Sequence, residues 1–149
     1  MIKELIISIL IPNLIGFIGN LLGSPSNFNE IVKPDFTPSK GVFPVVWITL
    51  YILMGISAYI IYKSNDVNKK DALKYYFIQL ILNALFNLFF FNLKWYLFSF
   101  IWIFILLIVV IIMIYKFFKI NNISAYLQVP YVLWIIFASI ITYYVYLLN

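Results

Sequence analysis

An all-α membrane protein is the fold class this sequence predicts: a five transmembrane helix bundle with a structured loop between helices 1 and 2. Three observations lead there. The 149 residues are 65% hydrophobic and only 10% charged, with mean hydropathy +1.04, whereas a water-facing domain of this length would expose far more charge. The apolar residues form continuous runs long enough to cross a bilayer, not the strands of alternating polarity that a β-barrel needs. The lysines sit mainly at the ends of those runs, as membrane flanks do. Because the apolar fraction is evenly spread, residues 1–149 read as a single domain.

The same composition removes several function classes. The formal charge is +5 and every basic residue is lysine, without the arginine-bearing cluster on one face that marks a nucleic-acid surface. No cysteine is present, so disulfides, thiolate nucleophiles and cysteine metal sites are absent. No histidine is present either, which removes the commonest general base, metal ligand and haem axial ligand.

The first predicted helix spans about residues 5–22. Lys3 followed by an apolar run imitates a secretory leader, but Glu4, the Pro12-Asn13 interruption and the lack of a small-residue cleavage site favour a retained helix. Asn13, Gly16 and Asn20 form a small-and-polar stripe, expected to turn toward other helices where the amides find partners. Gly19 and Gly23 form a GxxxG pair, readable as a dimer face or, with more weight, as a helix end fraying into a Gly-Ser-Pro turn.

The first loop, residues 24–41, is too polar to span. Pro25, Pro34 and Pro38 each fix φ and push the preceding residue to extended geometry, so this loop should be stiffer than its length implies. The second helix, about residues 42–62, aligns Trp47, Tyr51, Gly55 and Tyr59 on one face, with Gly55 as a notch between rings. Together, stiff loop and aromatic face read as the lid and one wall of an intramembrane pocket.

A charged loop over residues 64–74 leads to a third helix, about residues 73–92. Gln79, Asn83 and Asn87 share one stripe of it. Carboxamides at membrane depth must be satisfied, either by other helices or by a ligand; the spacing favours neither. The fourth helix, about residues 95–118, is almost uniformly aliphatic inside, and reads as the most lipid-exposed span, with no chemistry. The fifth, about residues 123–148, carries Pro130 near its start, where a bend is expected. Trp134, Ala138 and Thr142 share one face, and Ala138-Ser139 allows close approach by a helix or a flat ligand.

Five spans put Lys3, Lys63, Lys69, Lys70, Lys74, Lys116 and Lys119 on one side and Lys33, Lys40 and Lys94 on the other. The excess predicts a cytoplasmic N-terminus and a first loop on the outer face.

Several linked motifs, in order along nearly the whole chain, resemble the TspO/MBR family, that is, the translocator protein or peripheral-type benzodiazepine receptor family. They are Lys33-Pro34-x-Phe36-x-Pro38, then Val42-Phe43-Pro44-x-x-Trp47-x-x-Leu50-Tyr51-x-x-Met54-Gly55. Gln79-Leu80-x-Leu82-Asn83 with Phe89-Phe90 follows, then Pro130-Tyr131-x-x-Trp134-x-x-Phe137-Ala138. The resemblance implies a helical bundle, often a homodimer, in a bacterial cell membrane, with a pocket beneath the first loop. It implies binding of porphyrins such as protoporphyrin IX and of hydrophobic drug-like ligands. The protein would act as sensor or carrier; light-dependent porphyrin degradation and transport are the alternatives.

The candidate ligand-binding residues are Phe28, Trp47, Tyr51, Asn83, Asn87, Trp134 and Ala138. On the positions that match the family, Trp47 and Trp134 would flank the ligand, Asn83 would hydrogen-bond it and Ala138 would sit at a sensitive wall position; for a porphyrin, whose carboxylates lie at one edge, Lys33 or Lys40 could supply a cationic rim. No catalytic residue is implied unless porphyrin is degraded, in which case Trp47 and Trp134 are the candidates. No metal and no required cofactor is expected, and the partners are membrane lipid and porphyrin, with no nucleic acid.

The chain departs from the family at Asn27 and Phe28, where Trp-Tyr is common, at Ser39 for a second proline, and at Phe86 for tryptophan. No basic residue follows Tyr146, and the match at Leu53, Tyr59 and Lys63 is too general to imply sterol binding.

Overall fold

A computed structural model describes residues 1–149. It is all-helical: α1 (Ile2–Leu22), α2 (Val42–Lys63), α3 (Lys69–Asn87), α4 (Tyr96–Ile120), α5 (Asn122–Leu127) and α6 (Val129–Leu148). The chain of α3 continues through a π-helical turn, Leu88–Asn92, and α5 with α6 makes one span, Asn122–Leu148. This gives 5 helical segments long and apolar enough to cross a membrane.

Local chemistry sets the ends. After α2, Ser64 Oγ accepts from the Asp66 backbone N–H at 3.3 Å and Asp66 Oδ1 accepts from the Asn68 N–H at 2.7 Å. The charged connection is therefore shorter than expected, because Lys69, Lys70 and Asp71 already form the first turn of α3, where the Asp71 carboxylate suits the helix dipole. Asp71 is also held by Lys116 of α4 at 2.6 Å. The connection to α4 turns on Lys94 in the left-handed region (φ 57), closed by the Trp95 N–H donating to the Phe89 carbonyl at 2.8 Å.

The expected bend at Pro130 is a break instead. The Asn121 side chain caps α5 by accepting from the Ser124 N–H at 3.1 Å. α5 then stops at Gln128, and Pro130 lies in the first turn of α6. A proline there loses no helical hydrogen bond, since that N–H would be unpaired anyway.

The path of α1 decides the shape of the bundle. At its start it lies against α2: Ser8 Oγ donates to the Gly55 carbonyl at 2.7 Å, and a Cβ on Gly55 would collide with the Ile9 backbone. The Gly55 notch is thus filled by α1 and does not separate aromatic rings. At its far end α1 lies against α3 instead. There a Cβ on Gly19 would come within 3.1 Å of Ala84 Cα, and one on Gly23 would strike the Asn87 carbonyl. Gly19 and Gly23 therefore seat α1 on a neighbour in the same chain, and the end is not frayed, because Asn92 Nδ2 caps the Leu22 carbonyl at 3.0 Å.

α4 is not the most lipid-exposed span. Of its most apolar stretch 28% is buried, against 11% for α1. Ser99, Ile103, Leu106, Val110, Met113 and Phe117 form its inward stripe, at the spacing of a helix seam. Trp102 Nε1 also donates to the Leu82 carbonyl of α3 at 2.8 Å. At the end of the bundle nearest residue 1, Ser57 and Ser124 close α2 onto α5. Each hydroxyl donates to the other residue's carbonyl, at 2.7 and 2.9 Å.

Candidate ligand cavity

The diagonal path of α1 leaves space at the opposite end, between α1, α2, α3 and α6. It is a cavity of about 510 Å³, within the range of small-molecule sites. Ile103 and Leu106 of α4 form part of its wall, so the helix expected to carry no role contributes apolar surface.

The first loop covers the cavity. Pro25–Glu30 is a 3-10 helix that turns Phe28 inward, leaving it 8% exposed. Proline at its first position presets φ for that turn. Lys33 Nζ donates to the Phe28 and Ile31 carbonyls at 2.5 and 2.8 Å and lies 4.4 Å from the Phe28 ring centroid. The Asn149 amide also pairs with the Val32 backbone, donating to its carbonyl at 2.8 Å and accepting from its N–H at 3.3 Å.

Aromatic rings run from this lid into the bundle. Phe28 meets Phe43 edge-on at 5.4 Å, and Phe43 meets Trp134 at 5.6 Å. Trp134 and Trp47 stand at 89° with centroids 6.4 Å apart, and Trp47 stacks on Tyr51 at 5.4 Å. These are the offset and edge-to-face geometries that ring quadrupoles favour. The Trp134 indole N–H is shielded from solvent and has no acceptor within the chain.

Two of the three amides of the α3 stripe, Gln79 and Asn83, bond to side chains of other helices. Asn83 Nδ2 donates to the Tyr131 hydroxyl at 2.7 Å, Tyr131 donates to Gln79 Oε1 at 2.7 Å, and Tyr51 donates to Asn83 Oδ1 at 3.3 Å. This buried network ties α2, α3 and α6 together at the base of the cavity. Asn83 borders the space with both amide atoms already engaged, and Asn87, one turn on, borders it as well.

Phe28, Trp47, Tyr51, Asn83, Asn87, Trp134 and Ala138 all line this one cavity. The α1 stripe faces it too, which differs from the expectation that its amides bond to other helices: Asn13 Nδ2 donates to Ile9 of its own helix at 2.9 Å, and Asn13, Gly16 and Asn20 are lining residues. Phe43 and Tyr131 were not singled out by the sequence. Tyr131 had a signal, since it precedes Trp134 by one helical turn; Phe43 had only its place inside a quoted motif. No carboxylate lines the cavity, and Lys33 and Lys40 are its only charged lining residues. Its lining holds no histidine either. It offers apolar faces, amide contacts and positive charge.

A family model described as TspO/MBR family matches residues 8–148. The tryptophan-rich protein TspO of Archaeoglobus fulgidus is 36% identical over 151 residues, covering 99% of this chain and 98% of that protein. Protein CrtK of Rhodobacter capsulatus is 29% identical over 136 residues (90% of this chain, 85% of the relative), and the tryptophan-rich sensory protein of Cereibacter sphaeroides is 28% identical over 116 residues (78% and 72%). With five apolar spans, a loop-covered cavity and a family match across nearly its full length, this chain belongs to the TspO/MBR family and is a multi-pass integral membrane protein.

Proposed function

We propose that the protein binds flat, apolar tetrapyrroles of the protoporphyrin IX type, and hydrophobic drug-like molecules of similar shape, acting as a sensor or carrier. The observation that carries this is the perpendicular Trp47–Trp134 pair bordering a cavity of about 510 Å³. Two indoles at right angles offer one face and one edge to a planar ring, and the enclosing walls are mostly hydrocarbon. Asn87 is placed for polar contact with the ligand; Asn83 can add to it through its remaining lone pair and N–H. We further propose a homodimer in a bacterial cell membrane with a cytoplasmic N-terminus, in keeping with the lysine distribution.

The test is a titration of protoporphyrin IX into protein in nanodiscs, following the Soret band and tryptophan fluorescence. A saturable band shift with quenching is expected; linear, partition-like uptake would refute the reading. Haem is expected to bind more weakly than the metal-free ring, since no histidine or cysteine is available to ligate iron. Equal or tighter haem affinity in the same titration contradicts that expectation.

The closeness of Trp47 and Trp134 also favours a second reading, light-dependent degradation of bound porphyrin, with dissolved dioxygen as the oxidant. Illumination distinguishes the two. Loss of the Soret band with a new product, abolished in Trp47→Phe/Trp134→Phe, supports degradation, whereas a stable shifted band supports binding alone.

A further inference from the structure

The cavity rim carries two ammonium groups and no carboxylate, and the two are not equivalent. Lys33 is committed. Its Nζ is within hydrogen-bond distance of two carbonyls and sits over the Phe28 ring, so it holds the lid in shape. Lys40 also lines the cavity but takes part in none of the chain's four ion pairs and in no hydrogen bond or ring contact. The backbone beside it is uncrowded, since a Cβ on Gly41 would meet nothing within 4 Å. An unpaired ammonium at the edge of a low-dielectric space attracts an anion more strongly than the same group in open water. A carboxylate held at that edge keeps part of its hydration, so the heavy cost of burying a charge is avoided.

We infer that Lys40 pairs with the acidic edge of a bound ligand, so that the cavity selects amphipathic carboxylic acids over neutral molecules with the same apolar body. This rests on the ligand-binding reading above and adds a specificity residue to it. Lys33 is a positioning residue that acts through Phe28.

The test compares two probes, protoporphyrin IX and its dimethyl ester, which share the macrocycle and differ in charge. The readout is the ratio of their affinities in wild type and variants, at a pH where the acid is ionised. Lys40→Gln is expected to lower the diacid-to-diester ratio about fivefold, the scale of one exposed ion pair. Lys40→Glu should lower it further, and Lys40→Arg should restore it. Lys33→Gln should weaken both probes together, leaving the ratio where it was. An unchanged ratio in Lys40→Gln, or a ratio that falls in Lys33→Gln instead, overturns the inference while leaving ligand binding intact. If neither probe saturates in wild type, the binding reading fails first. Repeating the titration in dodecyl maltoside, which carries no phosphate, separates a ligand carboxylate from a lipid headgroup. The ratio must survive there; its loss would assign Lys40 to lipid.

Discussion

The two ends of this bundle do opposite things. At the end nearest residue 1, small residues bring helices into contact. Ser8 meets Gly55, Ser57 and Ser124 exchange hydrogen bonds, and Met54, Ile61, Met113 and Phe117 have no exposed surface. At the other end α1 moves over to α3, and the gap it leaves beside α2 is lined by rings and roofed by Phe28. In lipid, helices gain little by burying apolar surface, so close packing goes where small residues allow it. The cavity lies where large aromatic side chains keep the backbones apart. A bundle of five oily helices becomes a container because one end is sealed and the other is propped open.

The sharpest way to break this contrast is to damage the sealed end. Gly55→Val puts a side chain into the Ile9 backbone, which has no rotamer to change. A loss of about 3 kcal/mol is expected, read as a large fall in thermal midpoint in detergent. A fall of only a degree or two would mean that α1 is free to shift, and the sealed end is not what sets its path.

Trp134→Ala probes the open end. It removes a ring that touches Phe43, Trp47 and Phe137. Porphyrin affinity should fall about tenfold or more, from the lost face and its buried area. A Kd within twofold of wild type would put the ligand elsewhere.

The smallest effect is expected for Ser57→Ala. It deletes one of the two reciprocal bonds to Ser124 and should cost about 1 kcal/mol of stability. Because Ser57 does not line the cavity, porphyrin affinity should stay within experimental error. A matching loss of affinity would show that the two ends are coupled.

Much of the site was legible because its signals are chemical. Tryptophan, asparagine and proline stand out in an aliphatic chain, and their spacing put Trp47 with Tyr51, and Trp134 with Ala138, on common faces. The proline-bearing loop was legible as an ordered lid for the same reason. Less legible was anything that depends on which of two apolar faces points inward. α4 looked uniform because its lipid side and its buried side are both aliphatic, so the stripe from Ser99 to Phe117 has no polar background to stand against. Gly19 and Gly23 announced close approach but not the partner, which is α3; the helix does end there, running into the Gly-Ser-Pro turn. The Asn13–Asn20 stripe announced an interior face, but not that this interior is a cavity.

By itself, then, the chain's chemistry determined that there are five membrane-crossing segments, that a stiff loop covers one end, and which aromatic and amide residues are available to a ligand. These follow from local rules: length of apolar runs, helical spacing, proline geometry. Tertiary structure alone decided the diagonal of α1, the inward face of α4, and which of Lys33 and Lys40 is already hydrogen-bonded within the chain. Those depend on where backbones can touch, and two lysines in one loop look alike until one of them is found already holding the Phe28 and Ile31 carbonyls.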